Sequence, residues 1–77
     1  MRHEIIIAEM SSGNVRRISR HSVTTAAGAA RLLRSGCQLW MAEQTARALG
    51  ATIDTNWGRL PDGTEIRIKS PELMARA

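Results

Sequence analysis

Three stretches of the sequence predict an α+β domain in which a small antiparallel sheet, made of an N-terminal and a C-terminal hairpin, carries two main helices and a short C-terminal helix. Residues 3–10 hold three consecutive isoleucines, Ile5, Ile6 and Ile7, a run that suits a strand buried on both faces. Residues 39–50 have the longest helical pattern in the chain, with Leu39, Ala42, Ala46 and Leu49 in one narrow arc of a helical wheel. Residues 65–69 alternate most cleanly, with Ile66 and Ile68 inward and Glu65, Arg67 and Lys69 outward. The order helix, helix, hairpin and closing helix also admits a winged-helix-like arrangement as the alternative.

In the first strand, 3–10, Ile5 and Ile7 share one face and Ile6 and Ala8 the other, which calls for a central position in the sheet. Ser11, Ser12, Gly13 and Asn14 follow as a turn long enough for a four-residue hairpin loop. The return strand, 15–22, departs from strict alternation at Val15 and Ile18. If extended, it sets Arg16 and Arg20 on the face of Ile18, and Arg17 with His21 on the other. The next helix, 23–35, has Thr24 or Thr25 as N-cap and Gly36 just past its end. Ala26, Ala29, Ala30, Leu32 and Leu33 form its packing face, while Arg31 and Arg34 lie opposite, in the last turns where cations suit the helix dipole.

Residues 37–41 fit two readings, a short strand or the first turn of the helix that follows, and both send Trp40 away from Leu39. Within that helix Glu43 precedes Arg47 by four residues, the favourable order for a surface ion pair, and Gly50 stands where a left-handed cap belongs. From Thr52 the pattern is extended again, with Ile53, Thr55 and Trp57 alternating. Leu60, Pro61, Asp62 and Gly63 then form a turn with proline second and glycine fourth. Ser70, Pro71 and Glu72 supply an N-cap, a first helical residue and a first-turn acid for a last short helix at 72–75.

A chain of 77 residues makes one domain, 1–77, near the size at which a single core only just outweighs chain entropy. With no Phe and no Tyr, the core must come from Ile, Leu, Val, Met and Ala with at most one Trp. Help from a partner chain, by homodimerisation or by docking on a larger complex, is therefore expected. A single cysteine rules out an internal disulfide framework, and Glu4 and Glu9 bracket the early apolar run where a signal peptide would need none; the expected compartment is the cytoplasm. The apolar run at 5–8 is far short of the roughly 20 residues a membrane helix requires, so no membrane partner is expected.

Catalytic and metal chemistry find little to build on. His3, His21 and Cys37 have neither a short-range pair nor a fourth ligand at recognisable spacing, so no metal and no cofactor are expected. Among the acids, Asp62 belongs to its turn and Glu65 to an outward strand position, which leaves no carboxylate pair from Glu43 and Asp54 for acid–base work. No glycine-rich phosphate loop or nucleophile elbow occurs. The chain thus reads as a non-enzyme with no small-molecule substrate. Cys37 reads as a small hydrophobe, with nearby Arg34 the one argument for a reactive thiolate.

Charge is more informative. The net +4 is unevenly placed: between Met10 and Ala42 stand Arg16, Arg17, Arg20, Arg31 and Arg34 and no acid, five positive charges in one segment. Guanidinium suits bidentate contact with phosphate, which makes these five the candidate nucleic-acid-binding residues; the plain alternative is a solvated surface rich in arginine. A helix-turn-helix would need a spacing of small, apolar and glycine residues that neither Ala29 with Leu32 nor Ala46 with Leu49 completes. A base-stacking platform would rest on Trp40 and Trp57 alone. The function expected is a small basic module contacting nucleic acid or a nucleoprotein assembly through an arginine-rich face. The alternative is a protein-binding inhibitor of the phage or mobile-element kind, anti-CRISPR proteins being one example, with Trp40 and Arg47 as its anchors. That alternative is an analogy of size without a shared motif. Trp57 reads as core or as a cross-strand partner.

Overall fold

The computed structural model describes residues 1–68; Lys69 and the helix expected at 72–75 lie outside the described residues. Its elements run β1 (His3–Ser11), β2 (Asn14–Val23), α1 (Ala26–Leu32), β3 (Cys37–Met41), α2 (Glu43–Ala48), β4 (Thr52–Asp54), β5 (Trp57–Arg59) and β6 (Glu65–Ile68). All six strands join one sheet in the order β2-β1-β3-β6-β5-β4. Neighbours are antiparallel except β3 and β6, which run parallel.

This corrects the expected fold class. The domain is a mixed six-stranded sheet with 50% of its residues in strands and 19% in two short helices, neither an α+β domain with two main helices nor a winged helix. The helix expected over 23–35 has 7 residues, because Leu33 already takes an extended backbone at ψ 126 and Gly36 turns the chain at φ +82. Of the pattern over 39–50 the helix takes 6 residues, and the open choice at 37–41 falls to the strand, which pairs as β3 between β1 and β6. An apolar run of that length satisfies both periods, and pairing with β1 decides between them.

The strand expected at the centre is there. β1 lies between β2 and β3, and Ile5, Ile6, Ile7 and Ala8 are all buried. Ile5 and Ile7 join Leu39, Met41 and Ile66 in the main core, closed by Ala29 of α1, Ala46 and Leu49 beside α2, and Leu60. Both helices therefore cover one face of the sheet, and their contacts are made by alanine, whose small size lets a short helix lie close to the strands. Thr25 caps α1 by accepting a 3.0 Å hydrogen bond from the Gly28 amide, and Gly50, at φ +84, ends the turn after α2.

The hairpin β1–β2 closes more tightly than expected. Ser11 faces Asn14 directly, so the loop is the two residues Ser12 and Gly13, both with positive φ (51° and 80°), the type I′ geometry that matches strand twist. A bulge explains the broken alternation in the return strand. Val15 faces Met10 and Arg17 faces Glu9, which leaves Arg16 as the extra residue.

A second hairpin cuts through the stretch that alternates at Ile53, Thr55 and Trp57: the chain reverses at Thr55–Asn56, with Asp54 facing Trp57 and Ile53 facing Gly58. The turn at Leu60–Gly63 forms as expected, the Gly63 amide donating to the Leu60 carbonyl at 2.8 Å. Beside it, hydrogen bonds from Thr64, side chain first and then amide, hold the Asp62 carboxyl below its ordinary pKa. No helix among the described residues is long and apolar enough to cross a membrane.

Candidate nucleic-acid interface

α1 carries the chain from the end of β2 back to the start of β3, so its last turn arrives beside the β1–β2 hairpin. The Met10 amide donates to the Gly36 carbonyl at 2.9 Å, and Arg17, Glu9 and Cys37 form one row across β2, β1 and β3. Strand alternation adds Ser19 and His21 to the same face as Arg17, and the loop after α1 brings Arg34 to it. Together these side chains line a cleft of about 350 Å³ whose apolar wall is Ile7 and Leu32. Within it the Ser19 hydroxyl and the His21 Nε2 lie 3.0 Å apart in a hydrogen bond.

The arginines divide by partner. Arg20 lies 3.8 Å from Glu4, Arg47 lies 3.3 Å from Glu43, Arg67 lies 3.6 Å from Glu65, and the Arg59 guanidinium sits 5.4 Å from the Trp57 ring centre. Arg16, Arg17, Arg31 and Arg34 are exposed, and among the described residues none of them makes an ion pair. Arg16 sits in the bulge next to Arg17, and Arg31 sits in the last turn of α1. Of the five sequence-predicted arginines, the fold thus brings Arg17 and Arg34 to one cleft, with Arg16 and Arg31 on the bulge and helical turn that adjoin them in the chain. Arg20 stands apart: it faces Ile6 on the side of the sheet away from the helices.

The other expected anchors separate as well. Trp40 is half-buried with its indole nitrogen buried, and it lies on that second face in a row that runs Arg20, Ile6, Trp40, Arg67, Trp57. Arg47 is on α2, across the sheet from it. Trp57 is a cross-strand neighbour of Arg67, as its position suggested.

Glu9, Ser19, His21 and Cys37 belong to the cleft, and sequence reasoning did not single them out together. Period-2 alternation through Arg17, Ser19 and His21 was available as a signal; the pairing that brings Cys37 beside Glu9 was not. No group of three His, Cys, Asp or Glu side chains able to hold a metal ion occurs among the described residues. No protein-family model, curated protein or solved structure matches the chain.

Proposed function

We propose that the protein is a small, non-enzymatic nucleic-acid-binding module that grips backbone phosphates with Arg16, Arg17, Arg31 and Arg34 at the hairpin end. The observation that carries this reading is that Arg17 of β2 and Arg34 of the loop after α1 line one cleft, with Arg16 in the adjoining bulge and Arg31 in the last turn of α1, all four exposed and without an ion pair among the described residues. Clustered like charges repel one another; Glu9, facing Arg17, is the one carboxylate in the cleft among the described residues, and an anionic partner would offset the repulsion that it leaves. Nucleic acid, free or within a nucleoprotein assembly, supplies anions at regular spacing, and guanidinium forks fit them bidentately. The compartment that goes with this reading is the cytoplasm, where Cys37 stays reduced.

A protein-surface reading anchored jointly on Trp40 and Arg47 would need one partner to reach both faces of the sheet. The interface proposed here needs only one end of it. Fluorescence anisotropy with labelled duplex and single-stranded DNA and RNA at low salt tests the reading directly. Binding is expected, with a loss of roughly tenfold or more for Arg31→Ala/Arg34→Ala and little change for Arg47→Ala. Absence of binding to every one of these nucleic acids sinks it.

A further inference from the structure

The cleft at the hairpin end is more than a patch of positive charge, and we infer that it holds the phosphate-bearing end of a nucleic-acid strand. This rests on the nucleic-acid reading above and adds to it a specific group. Backbone phosphates along a strand are monoanionic diesters flanked by sugar on both sides, and a convex basic surface suffices for them. Here Arg17 and Arg34 face a concave space, with the Ser19–His21 pair on its β2 side and Ile7 and Leu32 as its apolar wall. A terminal phosphate monoester carries a larger charge and has one free side, so it can enter such a space and meet two guanidinium forks at once.

Glu9 shapes the choice of ligand. It lies in the same cleft, faces Arg17 across the strands, and has no ion pair among the described residues. A carboxylate there opposes a bare phosphate but accepts a hydrogen bond from a sugar hydroxyl or a base N–H. Glu9 stands in one row between Arg17 of β2 and Cys37 of β3, so its acceptor lies beside the phosphate position, and a terminal nucleotide offers a group for each: phosphate at Arg17 and Arg34, a sugar hydroxyl or base N–H at Glu9, and the sugar or base body against Leu32, which is 37% exposed. The volume, about 350 Å³, falls within the roughly 300–1,000 Å³ of small-ligand sites.

Cys37, the one cysteine of the chain, lines this cleft and serves as a reporter. Short single-stranded oligonucleotides of one sequence, ending in 5′-phosphate, 3′-phosphate or hydroxyl at both ends, are compared by anisotropy and by their ability to slow Cys37 alkylation with iodoacetamide. One phosphate-ended form is expected to bind at least about tenfold tighter than the hydroxyl-ended form, the worth of a single charge-assisted contact, and to protect Cys37. Arg34→Ala is expected to erase that preference, whereas Arg31→Ala lowers affinity for all three alike. Equal affinity for the three ends overturns the inference and leaves the broader nucleic-acid reading standing. If no oligonucleotide binds, both fall, even should a nucleoside monophosphate alone protect Cys37, since the cleft would then be a mononucleotide site.

Discussion

Two turn residues hold backbone conformations that their side chains resist. Ser12 has φ 51 and Thr55 has φ 59, the left-handed region that L-residues other than Asn and Gly enter at a cost of about 1–2 kcal/mol. Thr55 is the more strained because it is β-branched; its hydroxyl lies 3.4 Å from the Asp54 carboxylate, an exposed contact that offsets little. Thr55→Gly is therefore expected to raise stability by about 1 kcal/mol, and Ser12→Asn, which creates the Asn-Gly pair favoured in type I′ turns, by about 0.5 kcal/mol. Urea unfolding midpoints check both; a lowered midpoint for each would show that these turns are not strained. Thr55 also shows how a residue-level pattern misleads. A threonine between Ile53 and Trp57 fits a strand by propensity and by alternation, and nothing in those three residues announces that the chain reverses there.

Individual elements differ in how much of them local sequence decides. β1 was legible because three adjacent isoleucines are tolerable only in a strand covered on both faces, and Ile5 and Ile6 are fully buried. β3 was not, because residues 37–41 satisfy helical and extended patterns alike until β1 and β6 claim them. α1 is a helix of 7 residues, too short to persist on propensity, so it depends on its cap and on Ala29 against the sheet. Thr25→Ala should cost about 1 kcal/mol in chemical denaturation while Thr25→Ser keeps most of the stability; equal losses for the two would mean that the methyl group, and not the cap, matters. β2 is an edge strand, and its arginines and bulge protect it against pairing with another chain. That role accounts for Arg16, Arg17 and Arg20 without any ligand. It does not reach Arg31 and Arg34, which stand in the last turn of α1 and the loop after it, and for that reason these two carry the functional tests.

At the scale of the whole molecule, the fold class escaped sequence reasoning because it depends on non-local pairing. β3 and β6 lie side by side and parallel although α2 and the β4–β5 hairpin separate them along the chain, and no local pattern encodes that contact. Charge was more readable. The acid-free segment between Met10 and Ala42 was visible in the sequence, and the fold sorts it: Arg17 and Arg34 meet at one cleft, while Arg20 goes to the other face beside Glu4. Among the described residues the β4–β6 half mixes the acids Asp54, Asp62 and Glu65 with Arg59 and Arg67, and Arg67 is paired with Glu65. Arg16, Arg17, Arg31 and Arg34 are proposed to serve phosphate contact, and the salt dependence of binding measures that most directly. Four arginines that each displace one counterion predict a log–log slope of about −3.6 on duplex DNA and about −2.8 on single strands. Arg31→Ala/Arg34→Ala should make the duplex slope shallower by about 1.8. A wild-type slope near zero, or an unchanged slope in the double variant, would contradict the account.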